Sequence, residues 1–440
     1  MKHPLTVDDL TALRTDFAAD PSYRIAQNAV TKVAVQDIAL DRAIVTGTDH
    51  SMSHHLDDWK VTNQKKSGRC WLFAGLNLVR PGAMSAMNVK DFEFSQNHIM
   101  FWDKLERANY FLNAMIETLD REVDDRTVAH LLHSVADDGG QWNMFVALVR
   151  KHGLVPKSVM PETQSSSETQ RMNAVLRMVL REGASRLRAV EGGAEDLDKA
   201  RREVIAVVHR VLAIHLGTPP EAFDWQWTDK DRGFHRDGEM TPQEFAQRYV
   251  TLPLDDYVCL VHDPRDTSPM GRTFTVDYLG NVVGGERVTY LNVEMELLKR
   301  LAREQVVGGE PVWFGCDVGQ QMSRDLGLWD AALYDFRSVY DHEFGLTKAE
   351  RLVFHESAMT HAMLFTGVDV VDGAARRWRV ENSWGDENGQ KGYYTMNDSW
   401  FDEYVFEIAV PRRVLPPELA DRLGDEPIVL PAWDPMGSLA

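Results

Sequence analysis

The chain has 440 residues, 44% hydrophobic and 26% charged, enough to build large cores in two or three domains. Its formal net charge of −19 argues against nucleic-acid and anionic-membrane partners. Three cysteines do not make a disulfide framework, and no stretch approaches the ~18 apolar residues of a membrane span.

The opening stretch has Lys2 but no apolar run behind it, so a cytoplasmic location is expected. Thr6 caps a first helix with Asp8 and Asp9 in its first turn. Ile25 to Ile44 carries Val30, Val33 and Val35; Thr48 to Asp58 is polar and loop-like. At Val61 to Ala74, VTNQKKSGRCWLFA, a polar turn passes into an apolar run. Cys70 then falls in the first turn of a helix that reaches about Leu78 and is ended by Pro81-Gly82. A helix N-terminus offers partial positive charge and free N–H groups, and both stabilise a thiolate. A lone cysteine before apolar residues is ordinarily a small core residue. What changes the reading is the glycine-containing turn, the basic flank, Trp71 and Gln64, whose side-chain NH2 can donate to an oxyanion beside the sulfur.

Ser95 caps a helix over residues 95–118. Asp137 to Gln141, DDGGQ, is a turn in which Gly139 and Gly140 are free to take positive φ and bring backbone close to a substrate. Trp142 to Lys151 forms a helix closed by Gly153. Residues 165–216 are helical, opened by Ser165-Ser166-Ser167 and broken at Glu191-Gly192-Gly193, which makes an antiparallel pair and an inserted subdomain. Thr241 opens a short helix with Pro242 at its first position. Strands are expected from about residue 252: Tyr257 to His262, Val312 to Val318, a hairpin turning at Asp372-Gly373, Tyr393 to Met396 and Tyr404 to Val410. Residues 411–440 are Pro-rich and read as an extended arm.

A nucleophilic cysteine needs a base. His361 lies where a polar segment enters an apolar strand, a place where most histidines are structural. Asn382, in VENSWG, lies across the hairpin; alone it reads as a turn residue. Its amide oxygen is placed to accept the Nδ1–H of the imidazole, with Trp384 shielding that bond. The set is split between a helix in one half and a hairpin in the other, which calls for a cleft between two lobes. Cysteine beside imidazole favours a thiolate–imidazolium pair. The thiolate attacks an amide carbonyl, the imidazolium protonates the leaving amine, and the neutral ring then activates water.

NQKKSGRCWLFA, with THAM and ENSWG downstream, resembles the papain-like cysteine peptidases, closest to the bleomycin hydrolase and aminopeptidase C branch. The resemblance covers nearly the whole chain. Ser67 stands where secreted members carry a disulfide cysteine. It implies an α+β, two-lobed papain-like fold, a helical lobe facing a β-barrel-like lobe. The implied division is an N-terminal segment (1–60), a helical catalytic lobe (61–163), a helical insertion used in oligomerisation (164–250), a β-rich catalytic lobe (251–410) and an arm in the cleft (411–440). Carried over, Cys70 is the nucleophile, His361 the base, Asn382 its orienter and Gln64 the oxyanion donor. Gly139, Gly140, Trp384 and the terminal carboxylate of Ala440 are candidate substrate-binding groups. The resemblance further implies a homohexamer acting on peptides as an aminopeptidase, with bleomycin-like amides as further substrates and no cofactor or metal.

A papain-like endopeptidase or an acyltransferase is the alternative, since the cleft is open at both ends and an acyl-enzyme can pass to amines. A zinc peptidase fails on spacing: His355-Glu356 is followed by Met359 where HExxH needs histidine, and His54-His55 and His130/His133 lack further ligands. A non-catalytic scaffold is opposed by the complete Gln–Cys–His–Asn set.

Overall fold

The computed structural model describes residues 3–438. Thr6 and Asp9 form a reciprocal capping box on helix Val7–Ala19, and helix Pro21–Val30 follows; neither buries a residue. The helical lobe is built from Cys70–Met87, Gln96–Glu117 and Trp142–His152, with the long pair Gln170–Arg188 and Ala194–Leu216 packed against Gln96–Glu117. Ser95 accepts from the His98 N–H, and Gly153 ends Trp142–His152 at φ 65°, both as expected.

Helix Cys70–Met87 does not stop at Pro81; it continues to Asn88, which takes φ 54°. A proline costs about 3 kcal/mol in a helix interior. Here Ala83 and Met87 are buried beyond it, worth roughly 2 kcal/mol for the methionine alone, and Arg80 is anchored on the Lys60 carbonyl and Asp91. The serine run does not open the long helical pair either. Thr163 caps a separate turn, Gln164–Ser167, and the long helix begins at Gln170. Strands also start earlier than residue 252: Phe223–Thr228 and Phe234–Met240 form a hairpin whose Trp225 and Trp227 stack beside Phe245 and Tyr249.

The second lobe is a twelve-stranded sheet. Its central order is Tyr257–Val261, Val405–Pro411, Val312–Cys316, His361–Val371, Ala374–Glu381, Tyr393–Asn397. Asp372 at φ 50° and Gly373 at φ 80° make the tight turn between His361–Val371 and Ala374–Glu381. One face of the sheet packs Trp313, Ala362 and Ala409 onto the helical lobe, through Trp142 and Trp71. The other packs Phe314, Phe365 and Trp378 under helix Met295–Val307 and under Phe401 of helix Asp398–Tyr404. The arm is not simply extended. It holds helix Pro417–Arg422, and Ile428–Leu430 joins the sheet edge parallel to Thr273–Val276. No helix among the described residues is long and apolar enough to cross a membrane.

Candidate active site

Cys70 is the first residue of its helix, buried to 2% exposure. The turn before it is fixed from both sides. Gln64 N–H donates to the Ser383 carbonyl at 2.8 Å, and Gly385 N–H to the Thr62 carbonyl at 3.0 Å. Ser67 Oγ donates to the Gln64 carbonyl and accepts from Arg69, whose guanidinium forks onto Glu162 at 3.0 and 2.7 Å. A hydroxyl network thus holds the turn at Ser67. Gln64 Oε1 accepts from Ser383 Oγ at 2.6 Å, and Nε2 donates to the Ser67 carbonyl at 2.6 Å. The amide is fixed in orientation with one N–H of Nε2 still free to donate.

Asp138 is a residue the sequence reading left inside a turn. Its Oδ2 accepts from Gly68 N–H at 3.1 Å and Thr169 Oγ1 at 2.5 Å. Its Oδ1 accepts from Asn173 at 2.7 Å and pairs with Lys104 at 2.6 Å. Its carbonyl accepts from Trp71 Nε1 at 2.7 Å. Burial alone would raise this carboxyl; the Lys104 ammonium and the hydrogen bonds hold it well below the usual range. Gly139 and Gly140 follow it. Neither takes positive φ, contrary to expectation. Gly140 is required for a different reason: a Cβ there would lie 2.5 Å from the Trp71 ring.

His361 begins its strand, directly opposite Cys316. Its Nε2, not Nδ1, meets Asn382 Oδ1 at 2.9 Å. This corrects the tautomer expected from the sequence. With Nε2 on Asn382, Nδ1 is the ring nitrogen left for the sulfur. Asn382 Oδ1 also accepts Ser383 N–H at 2.7 Å, which fixes the amide. The Trp384 ring packs 5.0 Å from the His361 ring. Burial pushes the imidazole down to about 4, against the Asn382 bond. Burial likewise pushes the Cys70 thiol up to about 11, opposed by the N–H groups of Ala362, Trp71 and Cys70. A thiolate–imidazolium pair at this depth depends on those N–H groups and on its own mutual attraction to offset desolvation.

Beside Asn382, the buried Glu381 accepts from Asn77 on the Cys70 helix and from Trp59, both at 2.9 Å, tying the lobes together. Cys259 and Cys316 are buried within the sheet, their thiols raised by burial.

A cavity of about 440 Å³ opens beside this set. Gly139, Met359 and Thr360 line it, together with Gly437 and Ser438 from the arm. The arm is held at several points: Asp434 on Arg265, the Met436 carbonyl on Tyr290, the Ser438 carbonyl on Gln141 at 2.5 Å, and Trp433 under Arg126 at 4.1 Å. Ala440 lies outside the described residues.

A helix-start cysteine facing a strand histidine and an asparagine, across a helical and a sheet lobe, defines the papain-like cysteine peptidases. The Peptidase C1-like family is matched over residues 4–437. The chain is 41% identical to aminopeptidase C of Listeria innocua across the whole of both chains. It is 43% identical to human bleomycin hydrolase across 99% of each. The crystal structure of PepW from Lactobacillus rhamnosis HN001 superposes with a TM-score of 0.97 at 44% identity, covering both chains completely. The chain belongs to the Peptidase C1-like family.

Proposed function

We propose that this chain is a cysteine aminopeptidase, with Cys70 as nucleophile, His361 as base, Asn382 as its orienter and Gln64 as an oxyanion donor. The thiolate adds to the carbonyl of the first peptide bond as the proton resides on His361 Nδ1. The oxyanion is met by the Cys70 N–H and the free N–H of Gln64. His361 gives its proton to the leaving amine, and a thioester of the N-terminal residue remains. Neutral His361 then takes a proton from water, whose oxygen attacks the thioester and returns the sulfur to the start.

The observation that carries exopeptidase over endopeptidase action is the arm. Its last described residues line the same cavity as Met359, Thr360 and Gly139, with the Ser438 carbonyl anchored on Gln141. An arm placed there narrows that half of the cleft, and the carboxylate of Ala440 is the group proposed to meet the substrate's α-amine. The relatives named aminopeptidase C and bleomycin hydrolase support the same reading, with bleomycin-like amides as further substrates. Mass spectrometry of products from free and N-acetylated peptides tests it, before and after deletion of residues 437–440. The full chain should remove single N-terminal residues and spare blocked peptides. The deleted form should cut blocked peptides internally. An unchanged preference for free N-termini after deletion would sink the arm as selector.

Assembly into a homohexamer in the cytoplasm is part of the same proposal, with residues 164–250 as the inserted assembly element of the division given above. Val7, Leu13 and Ile25 on the N-terminal helices, and Leu5 just before them, are all more than half exposed, an apolar surface that self-association would cover. Sedimentation velocity that gives only monomer at working concentration would refute it.

A further inference from the structure

The cleft has two sides about His361. On one lie Met359, Thr360, Gly139 and Ser438 of the arm. On the other, the Thr62–Gln64 turn is tied to Ser383–Gly385, and Trp384 packs on the imidazole. The proposed reading puts the acyl residue against the arm, so the amine half leaves past Trp384. Over that ring, 5.0 Å from its centroid, lies the guanidinium of Arg324.

Arg324 is exposed and, like Arg126 on Trp433, differs from the ion-paired arginines near the cleft. Arg69 is paired with Glu162, Arg107 with Asp103 and Arg379 with Asp58. Arg324 has no carboxylate within ion-pair distance among the described residues. Its guanidinium also lies beside Tyr394, where its charge opposes the larger effect of burial on that hydroxyl. The fold therefore holds an unneutralised cation, stacked on an aromatic ring, on the leaving-group side of the proposed base. In a chain of charge −19 such a cation stands out as a ready anion receptor.

We propose that Arg324, carried on Trp384, receives the α-carboxylate of a short leaving group, so that dipeptides and tripeptides are favoured substrates. The proposal rests on the aminopeptidase reading. Two ring-to-ring and ring-to-cation steps of 5.0 Å each bound the distance from His361 to the guanidinium. One leaving residue spans about 3.5 Å and two about 7 Å. A carboxylate at the end of one or two residues, added to its hydrogen-bond length, meets Arg324. In a longer leaving chain the carboxylate lies past it and only a neutral peptide group is presented.

The test compares kcat/KM for the same dipeptide and tripeptide as free acid and as C-terminal amide, in the wild type, Arg324→Met and Arg324→Lys. A charge-assisted contact predicts that the wild type prefers the acid by roughly 10- to 100-fold, expressed mainly in KM. The acid-to-amide ratio should fall to near one in Arg324→Met and be partly restored in Arg324→Lys. Because the readout is a ratio within each enzyme, a general loss of activity from a disturbed Trp384 does not imitate it. Equal handling of acid and amide by the wild type overturns the proposal and leaves the aminopeptidase reading standing, as does an unchanged ratio in Arg324→Met. Failure of the wild type to release N-terminal residues from any of these peptides overturns both.

Discussion

Acidifying the assay to about pH 5.5 should leave turnover nearly intact, because burial holds the His361 imidazole at about 4. An ordinary imidazole, near 6.5, would be only about 9% neutral at that pH; one at about 4 is about 97% neutral. The expected difference in retained kcat/KM is thus about tenfold. The same displacement acts on stability. Between 6.5 and about 4 the unfolded chain takes up a proton that the folded chain refuses. Stability from this group is therefore lost as pH falls through that window, by at most about 3 kcal/mol at its foot. Initial rates on an aminoacyl coumarin amide from pH 3.5 to 8, corrected for unfolding by circular dichroism, give the acid limb directly. A limb near 6.5 in folded enzyme would refute the reasoning, because it would mean that His361 is solvated in the working site.

Cys70→Ala should abolish turnover in a folded protein, whereas Cys316→Ala and Cys259→Ala should keep it; alkylation mapped by mass spectrometry should mark Cys70 first in the native state. Asp138→Asn should shift the alkylation profile of Cys70 to lower pH, since the Asp138 charge helps to raise that thiol. It should also lower stability by about 3–5 kcal/mol because Lys104 loses its partner; an unmoved profile would remove Asp138 from the site's electrostatics. Glu407 is fully buried beside Cys259 with Oε1 unpartnered, and burial lifts its carboxyl to about 8. From about 4.5 upward the unfolded chain loses a proton that the folded chain keeps, so wild-type stability declines as pH rises. Glu407→Gln should escape this and be about 3 kcal/mol more stable at neutral pH than its pH 4.5 difference predicts; parallel urea-unfolding profiles would refute it.

The reacting groups were legible because each sits at a boundary the sequence marks. Cys70 stands where a polar turn meets an apolar run, His361 at the start of a strand, and Asn382 past the end of its hairpin partner. Caps were equally plain at Thr6, Ser95 and Thr241, where a single side chain decides the local hydrogen bonds. The groups that hold the site in place were not. Asp138 has partners drawn from three separate segments, and Glu381 joins Asn77 and Trp59 across more than 300 positions. No local pattern encodes such meetings. Helix Cys70–Met87 passed its proline because of burial contributed by distant residues, which propensity does not register. Which ring nitrogen faces Asn382 depended on how the side chain is turned in the assembled site, which no local pattern records.

The strand Ile428–Leu430 has a bearing on handling the protein. Beside Thr273–Val276 it covers what would otherwise be the open margin of a twelve-stranded sheet. Uncovered margins of this kind recruit strands from other molecules. A truncation that spares residues up to 436 keeps the cover in place. One that begins before Ile428 strips it and leaves a row of unpaired backbone donors and acceptors beside buried Phe274 and Val276. Shortened forms of the second kind are therefore poor tools for studying the cleft: they invite aggregation for reasons unrelated to peptide cleavage.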